Sequence, residues 1–390
     1  MRTQVVIIGG GPSGLLLSHL LALNTIDSVI LERTSRSHVL QRIRAGMLEW
    51  GSVQLLRKTG LSARMDREGE VHDGSGVAWA GHSRFLIDVK KYVGRPMMMY
   101  GQTQLTEDLY AALDARQGVL IDEAEDVNPQ AIESSHPFVT YQKAGQSFRI
   151  DADYIAGCDG YHGVSRASIP ANQVRVYEKS YPFGWLGILS RTPPLPVPTY
   201  CHHERGFALV SKRTAMLSRH YIQVDINTRL QDWPDDRFWA ELKRRLPEDY
   251  AALLVTGPSI EKSIAPLRSF VVEPMRFGQM FLVGDAAHIV PPTGAKGLNL
   301  AISDVYYLSR GLIAFYQQND LSGLALYSST ALRRVWAASR FSWWLTSLLH
   351  RFPDQTGFGS RAQEAELDFI LSSENAMRAM CEQYAGLPLD

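Results

Sequence analysis

Twenty-nine residues near the start, Gln4 to Glu32, constrain the fold more than any other stretch. Gln4-Val5-Val6-Ile7-Ile8 is a continuous apolar run, the kind of strand a parallel sheet buries on both faces. Gly9-Gly10-Gly11-Pro12-Ser13-Gly14 follows, then an apolar helix from Leu15 to Leu23, then Val29-Ile30-Leu31-Glu32, a strand ending in an acid. Glycines at 9, 11 and 14 in a strand–helix–strand setting let the backbone approach a pyrophosphate. Glu32, eighteen residues past Gly14, can accept from ribose hydroxyls. A glycine turn that binds nothing would need neither the second strand nor the acid. A second glycine pattern, Gly357-Phe358-Gly359-Ser360-Arg361-Ala362, follows Arg351-Phe352-Pro353-Asp354 rather than a strand. The chain therefore reads as holding one dinucleotide fold, and a second nucleotide would bind without a domain of its own.

With 390 residues the chain can bury a large core, and two lobes are expected. Forty Lys+Arg balance forty Asp+Glu, which leaves no polyanion-binding field and argues against nucleic acid as a partner. Cys158, Cys201 and Cys381 are scattered without CxxC spacing, which speaks against a disulfide framework or a zinc site and fits a reducing cytoplasm. The first residues run straight into a strand, so no signal peptide is expected. Phe341 to Leu349 is the most apolar later segment, too short for a bilayer and bounded by Arg340 and Arg351. No membrane partner is expected.

Further along, Arg42-Ile43-Arg44-Ala45-Gly46 leads into a helix expected over Met47 to Lys58, and its arginines either contact phosphate or form a solvated turn. Residues 70–100 carry short alternating runs, Val77-Ala78-Trp79-Ala80 and Phe85-Leu86-Ile87, expected as a small antiparallel excursion. Gln102 to Ala115 reads as a helix, with strands around Val119–Ile121, Phe138–Tyr141 and Phe148–Ile150. Tyr154 to Ala156 runs into Gly157-Cys158-Asp159-Gly160, a carboxylate at a strand end, with Ser165 and Arg166 close behind. From Tyr181 aromatic, alternating strands dominate, and residues 181–270 read as a separate sheet layer with an amphipathic helix near Arg237–Leu246. Leu267 to Val272 and Met280 to Val283 are expected to return the chain to the first lobe. In Met280 to Asp304, Gly284-Asp285 ends a buried strand, prolines and Gly294 interrupt, and a helix is expected from Ala295 with Lys296 in its first turn. A helix N-terminus offers unpaired N–H groups and partial positive charge to an anionic ligand.

Three motifs in this order resemble those of the single-component flavin-dependent aromatic hydroxylases: Gly9–Gly14 with Glu32, Cys158-Asp159-Gly160 with Ser165 and Arg166, and Gly284-Asp285-Ala286-Ala287-His288. Arg42–Gly46, Tyr181-Pro182-Phe183-Gly184-Trp185, Pro291 to Asn299, Arg340-Phe341-Ser342-Trp343-Trp344 and Tyr384-Ala385-Gly386-Leu387-Pro388 look like the branch acting on 4-hydroxybenzoate. The resemblance spans essentially the whole chain. It implies an α/β fold: a Rossmann-like FAD-binding domain, discontinuous over 1–180 and 267–390, with a helical C-terminal region. The substrate domain is then an inserted mixed or antiparallel sheet over 181–266, with residues 70–100 contributing. The implied reaction is hydroxylation of 4-hydroxybenzoate at position 3 with NAD(P)H and O2, through a flavin C4a-hydroperoxide, giving 3,4-dihydroxybenzoate. A cytoplasmic homodimer is implied as well.

By motif match, the resemblance assigns FAD to Gly9, Gly11, Gly14, Glu32, Arg44, Gln102, Asp159, Asp285, Leu298 and Asn299. Ser211, Arg213 and Tyr221 would take the benzoate carboxylate, with Pro292 and Tyr200 at the ring. Tyr200, Tyr384 and His72 would form a proton relay, His72 at its surface end, with Pro292 and Asn299 completing the catalytic set. Unaided, Ser211 and Arg213 read as a solvated strand face and His72 as an exposed histidine in an acidic turn. Arg33, Arg42, Arg44, His162 and Arg268 would receive the nicotinamide cosubstrate, and with Arg36 the patch favours the 2′-phosphate of NADPH. Thr34 and His38 depart from the family there, and Met47 and Pro198 depart at the ring pocket. Chemistry explains the relay. Lowering a phenol's pKa from about 10 by ~2.5 units takes roughly 3.4 kcal/mol. One charge-assisted hydrogen bond supplies about 1.5–3 kcal/mol, so a network is expected. Competing readings are a hydroxylase of another para-substituted benzoate such as 4-aminobenzoate, a flavin reductase or dehydrogenase, and a flavoprotein that binds or senses without turnover.

Overall fold

A computed structural model describes residues 1–41, 46–79 and 85–389. Two large sheets organise the mixed α/β structure. The first has six strands in the order Arg276–Phe277, Met280–Leu282, Tyr154–Gly157, Val5–Ile8, Ser28–Leu31, Val119–Ile121. Its pairings are parallel except for the Arg276–Phe277 hairpin at one edge. Val5, Val6 and Ile7 are fully buried, as a central parallel strand requires. The helix Pro12–Ala22 packs against Gln102–Ala115 and Gly297–Gln318. A three-stranded antiparallel sheet, Glu125–Gln130, Phe138–Lys143 and Gln146–Asp151, lies in the crossover before Tyr154.

The second sheet has eight strands in the order His288–Ile289, Ser259–Glu273, Arg175–Ser190, Leu217–Asp225, Ala208–Thr214, Thr199–His202, Gly74–Trp79, Phe85–Asp88. It is antiparallel apart from the pairing of Thr199–His202 with Gly74–Trp79. Alternation decides what each face touches. One row reads Val77, Tyr200, Leu209, Tyr221, Gly187 across five strands. The adjacent row reads Ala78, Cys201, Ala208, Ile222, Leu186 and points the other way. That second face packs on Phe238, Trp239 and Leu242 of the helix Asp235–Arg245. Tyr200's face packs on Phe341, Leu345 and Tyr384 from the helices Ser322–Leu349 and Glu374–Ala385.

Residues 74–79 and 85–88 pair antiparallel, as expected, and form the edge of the eight-stranded sheet. Three expectations change. Leu267 to Val272 likewise belongs to that sheet, inside the long strand Ser259–Glu273; the chain rejoins the six-stranded sheet only at Arg276–Phe277. Met47–Leu48 is a short strand paired with Met97–Met99, and the helix starts at Trp50. Local helix preference loses there to a close backbone crossing, since a Cβ on Gly46 would lie 1.9 Å from the Tyr100 carbonyl oxygen. The later helix starts at Gly297 rather than Ala295, because Pro292–Gly294 forms a 3-10 turn and Ala295 is left-handed at φ +54°. Among the described residues no helix is long and apolar enough to cross a membrane.

Candidate active site

The first turn has the geometry of a phosphate cradle. Gly9 has φ +114°, and a Cβ there would stand 2.3 Å from the Cys158 carbonyl oxygen. A Cβ on Gly14 would stand 2.0 Å from the Gly9 oxygen, so both glycines serve internal packing. At Gly11 an added Cβ meets nothing within 4 Å, and the helix that Gly11 caps has no side-chain cap. Open space in front of uncapped N–H groups fits a pyrophosphate. The Glu32 carboxylate accepts from Gly10 N at 2.8 Å and from Thr34 N and Oγ1, both at 2.8 Å. It is thus fixed in orientation, with lone-pair capacity left for ribose hydroxyls.

Two loops complete this cradle. Asp159 accepts from Ser165 N (2.8 Å) and Oγ (2.9 Å), so its Oδ2 shapes its own loop. Burial pushes its carboxyl above the usual range despite those bonds. Arg166 donates to the carbonyls of Tyr161 and Ala286, joining that loop to the turn Gly284–Ala286 that holds half-buried Asp285. A Cβ on Gly284 would lie 3.3 Å from Ser13 Oγ, which places this turn beside the first helix. Sequence reading missed the pin beneath it. His288 Nε2 lies 2.6 Å from Asp304 Oδ2, and the same oxygen accepts from Gly284 N at 2.9 Å. Burial opposes charge on His288, but the Asp304 carboxylate outweighs it and raises the imidazole pKa.

The helix from Gly297 also lacks a side-chain cap, leaving the N–H groups of Gly297, Leu298 and Asn299 at an open N-terminus. The Asn299 side chain is committed elsewhere: Oδ1 accepts from Glu49 N and Ser52 Oγ, and Nδ2 donates to the carbonyls of Met47 and Ala295. All four of its hydrogen-bonding positions are used, so what Asn299 offers a ligand is its backbone. Lys296 does not reach outward either. Its Nζ donates to Glu49 Oε1 and to the Tyr384 carbonyl, both at 2.8 Å, while Arg334 binds Glu49 Oε2 at 2.7 Å. Burial lowers the Lys296 pKa, with Glu49 opposing. Gln102 opens its helix half-buried, and Pro292 is exposed.

On the face shared by Tyr200, Tyr221 and Leu209, polar groups collect in an apolar, aromatic wall. Tyr200 Oη lies 3.2 Å from Tyr384 Oη, and both phenols are buried. Burial, reinforced by Tyr384, raises the Tyr200 pKa far above 10, and burial raises that of Tyr384, so both are neutral phenols. Tyr384 Oη continues to Ser75 Oγ at 2.8 Å, and Ser75 Oγ to His72 Nε2 at 3.0 Å. His72 is 6% exposed rather than a surface group, and burial lowers its pKa to about 4. Tyr221 lies over Gly187, where a Cβ would come within 2.6 Å of the ring.

Arg213 follows two positions after Ser211 on the same face. Its guanidinium donates to the Lys212 carbonyl at 3.1 Å, and among the described residues it forms no ion pair. Desolvation lowers its pKa, with Tyr221 opposing and Arg219 adding like charge. Arg219 is paired with Glu261 at 2.8 Å. Ser211 Oγ already donates to the Arg219 carbonyl at 2.7 Å. Half-buried Met47 packs against the same aromatic cluster, and the Pro198 carbonyl accepts from Gly76 N.

Of the cationic patch, Arg42 and Arg44 lie outside the described residues. His162 and Arg268 meet around Tyr161, with ring centroids 4.9 Å apart for His162 and Arg268 Cζ 4.7 Å from the Tyr161 ring centroid. Arg33 is exposed, while Arg36 pairs with Asp114 and stacks on Tyr110.

The FAD binding domain family matches residues 2–342 of this chain. Over its full length, p-hydroxybenzoate hydroxylase from Acinetobacter baylyi is 49% identical, the alignment covering 100% of this chain and 96% of that protein. 3-(3-hydroxy-phenyl)propionate/3-hydroxycinnamic acid hydroxylase from Burkholderia cenocepacia is 24% identical over 323 residues, 78% of this chain and 56% of that one. In structure, p-nitrophenol 4-monooxygenase from Pseudomonas putida matches with a TM-score of 0.79 at 18% identity, over 99% of each chain, a likeness of fold. Its glycine cradle and these matches together show that the chain belongs to the FAD binding domain family, among the single-component flavin aromatic hydroxylases.

Proposed function

We propose that the chain hydroxylates 4-hydroxybenzoate at position 3 with NADPH and O2, giving 3,4-dihydroxybenzoate. The observation that carries this reading is one sheet face with two polar ends. At one end stands Arg213, a desolvated guanidinium with no described carboxylate partner. At the other, Tyr200 and Tyr384 lie 3.2 Å apart as neutral phenols. A ring with a carboxylate at one end and a hydroxyl opposite satisfies both. Bound FAD, once reduced, supplies the oxygen atom derived from O2. The protein's part is to fix the ring through Arg213 and Tyr221, draw the phenol proton toward Tyr200, and keep water away by burying Tyr200, Phe207 and Tyr384. In the same reading Gly11, Glu32 and Asp285 hold FAD, which occupies the surroundings of residues 1–180 and 267–390, while 181–266 with 70–100 hold the ring. His162 and Arg268 support NADPH as hydride donor. Three free cysteines support a cytoplasmic site, and exposed Trp343, Phe358 and Phe369 support a homodimer.

The test follows NADPH and O2 consumption with a panel of substituted benzoates, with products identified. Stoichiometric 3,4-dihydroxybenzoate from 4-hydroxybenzoate is the expected result. Preferential turnover of 4-aminobenzoate, or NADPH oxidation with no hydroxylated product from any benzoate, would overturn it.

A further inference from the structure

We propose that the Ser75 hydroxyl is an intrinsic link of the proton path, joining Tyr384 to His72 without an intervening water. This deepens the functional reading above and rests on it. Ser75 is 2% exposed, and its hydroxyl bonds to two side chains, Tyr384 Oη at 2.8 Å and His72 Nε2 at 3.0 Å. Strand alternation places it there. Val77 pairs with Tyr200, and residue 75, two positions earlier on the same strand, shares that face. The Glu374–Ala385 helix then brings Tyr384 between Tyr200 and Ser75. A serine that only satisfied itself would turn to a nearby carbonyl, as Ser211 and Ser218 do.

Both neighbours of Ser75 can donate and accept, so the chain can run in one direction from end to end. The substrate hydroxyl gives its proton to Tyr200, and Tyr200 passes its own to Tyr384. Tyr384 passes its proton to Ser75, Ser75 passes its own to His72 Nε2, and His72 releases the Nδ1 proton to water. One proton leaves the phenol, one reaches solvent, and every protein group ends neutral. His72 must be a neutral imidazole to accept on Nε2, and burial keeps it so at neutral pH. The charges facing it are already engaged: Glu70 pairs with Lys212 and Asp73 with Lys90. Ser75 touches no reacting atom; it acts through Tyr384 as a positioning residue.

The experiment uses the FAD-loaded protein with 4-hydroxybenzoate bound and no NADPH. Ligand ionisation is read as the ultraviolet phenolate signal after a stopped-flow pH jump, beside the ligand's equilibrium Kd. Ser75→Ala and Ser75→Val, the latter filling the space against water, are expected to slow ionisation at least about a hundredfold, the low side of what a positioned proton-transfer group supplies. Kd should stay within about twofold, since an interior conduit contributes little to ground-state binding. Ser75→Thr, which keeps the hydroxyl, should restore the rate. Wild-type ionisation in both the Ala and Val variants, with Tyr200→Phe slow, would overturn the role of Ser75 and leave the tyrosine relay standing. Wild-type ionisation in Tyr200→Phe as well would overturn the relay itself.

Discussion

Replacing Arg213 by Met should move two measurements in opposite directions. Without a ligand, the guanidinium is desolvated, hydrogen-bonded to the Lys212 carbonyl and near like-charged Arg219, whose own carboxylate partner is Glu261. A half-buried, desolvated cation without its own counter-charge costs stability, and an apolar side chain of similar length removes that cost. The gain expected for the ligand-free protein is about 1–2 kcal/mol. With an unfolding entropy of about 2 cal/mol/K per residue over 390 residues, this raises Tm by about 1–3 °C. Binding should suffer instead. Losing one partner of an enclosed charge pair costs about 2–5 kcal/mol, a rise in Kd for 4-hydroxybenzoate of roughly thirtyfold to several-thousandfold. Arg213→Lys should fall between, keeping the charge but losing the fork. The assays are thermal melts with and without ligand and a binding titration. A lower Tm together with unchanged Kd would show that Arg213 is a structural cation and that the carboxylate binds elsewhere.

Tyr200→Phe should consume NADPH and O2 while yielding hydrogen peroxide in place of dihydroxybenzoate, with Tyr384→Phe milder; product and peroxide per NADPH give the answer, and wild-type coupling in Tyr200→Phe would remove it from the relay. His220 is 1% exposed against Trp239 with neither ring nitrogen hydrogen-bonded, and burial lowers its pKa to about 3. His220→Phe should therefore stabilise the protein by about 1–3 kcal/mol, read from the denaturant midpoint. His72, His220 and His350 have pKa values lowered to about 4, 3 and 3 from 6.5, so between pH 6.5 and 5 the unfolded chain binds protons the folded one refuses. Stability contributed above pH 6.5 is then lost on acidification by about 1.4 kcal/mol per pH unit for each histidine, and a flat denaturation midpoint from pH 6.5 to 5 would refute this.

What could be read from the sequence was local or periodic. The turn from Gly9 to Gly14 was legible because a backbone approaching within 2.3 Å of where a Cβ would stand leaves no alternative to glycine. The helix Gln102–Ala115 was legible to the residue, and Phe183–Val224 showed its alternation plainly. Illegible features depend on distant partners. Met47 pairs with Met99 rather than continuing a helix, which no local preference reports. His72 sits between Glu70 and Asp73 and reads as exposed, yet the chain three hundred residues later folds Tyr384 over it through Ser75. Lys296 reads as charge offered to an anion at a helix start, and Glu49 claims it across 247 residues.

That last capture explains how the Tyr200–Tyr384 contact is held in register with the helix from Gly297. Tyr384 contributes two atoms to two different systems: its phenol oxygen contacts Tyr200 and Ser75, and its carbonyl accepts from Lys296. Lys296 is the residue before the helix whose first N–H groups have no side-chain cap, so both features are mounted on one buried cluster. Two cations share one carboxylate there, and carbonyls absorb the surplus: Tyr384 for Lys296, Leu387 and Pro388 for Arg334. The fit leaves no slack. Gly386, at φ +90°, passes so close to Glu49 that a Cβ would fall 2.0 Å from its carboxylate. A substitution at Gly386 must therefore displace Glu49, and Glu49 cannot move without Lys296 and, through it, the Tyr384 backbone. Residues 386–388, just past the helix that carries Tyr384, thereby set where Tyr384 meets Tyr200.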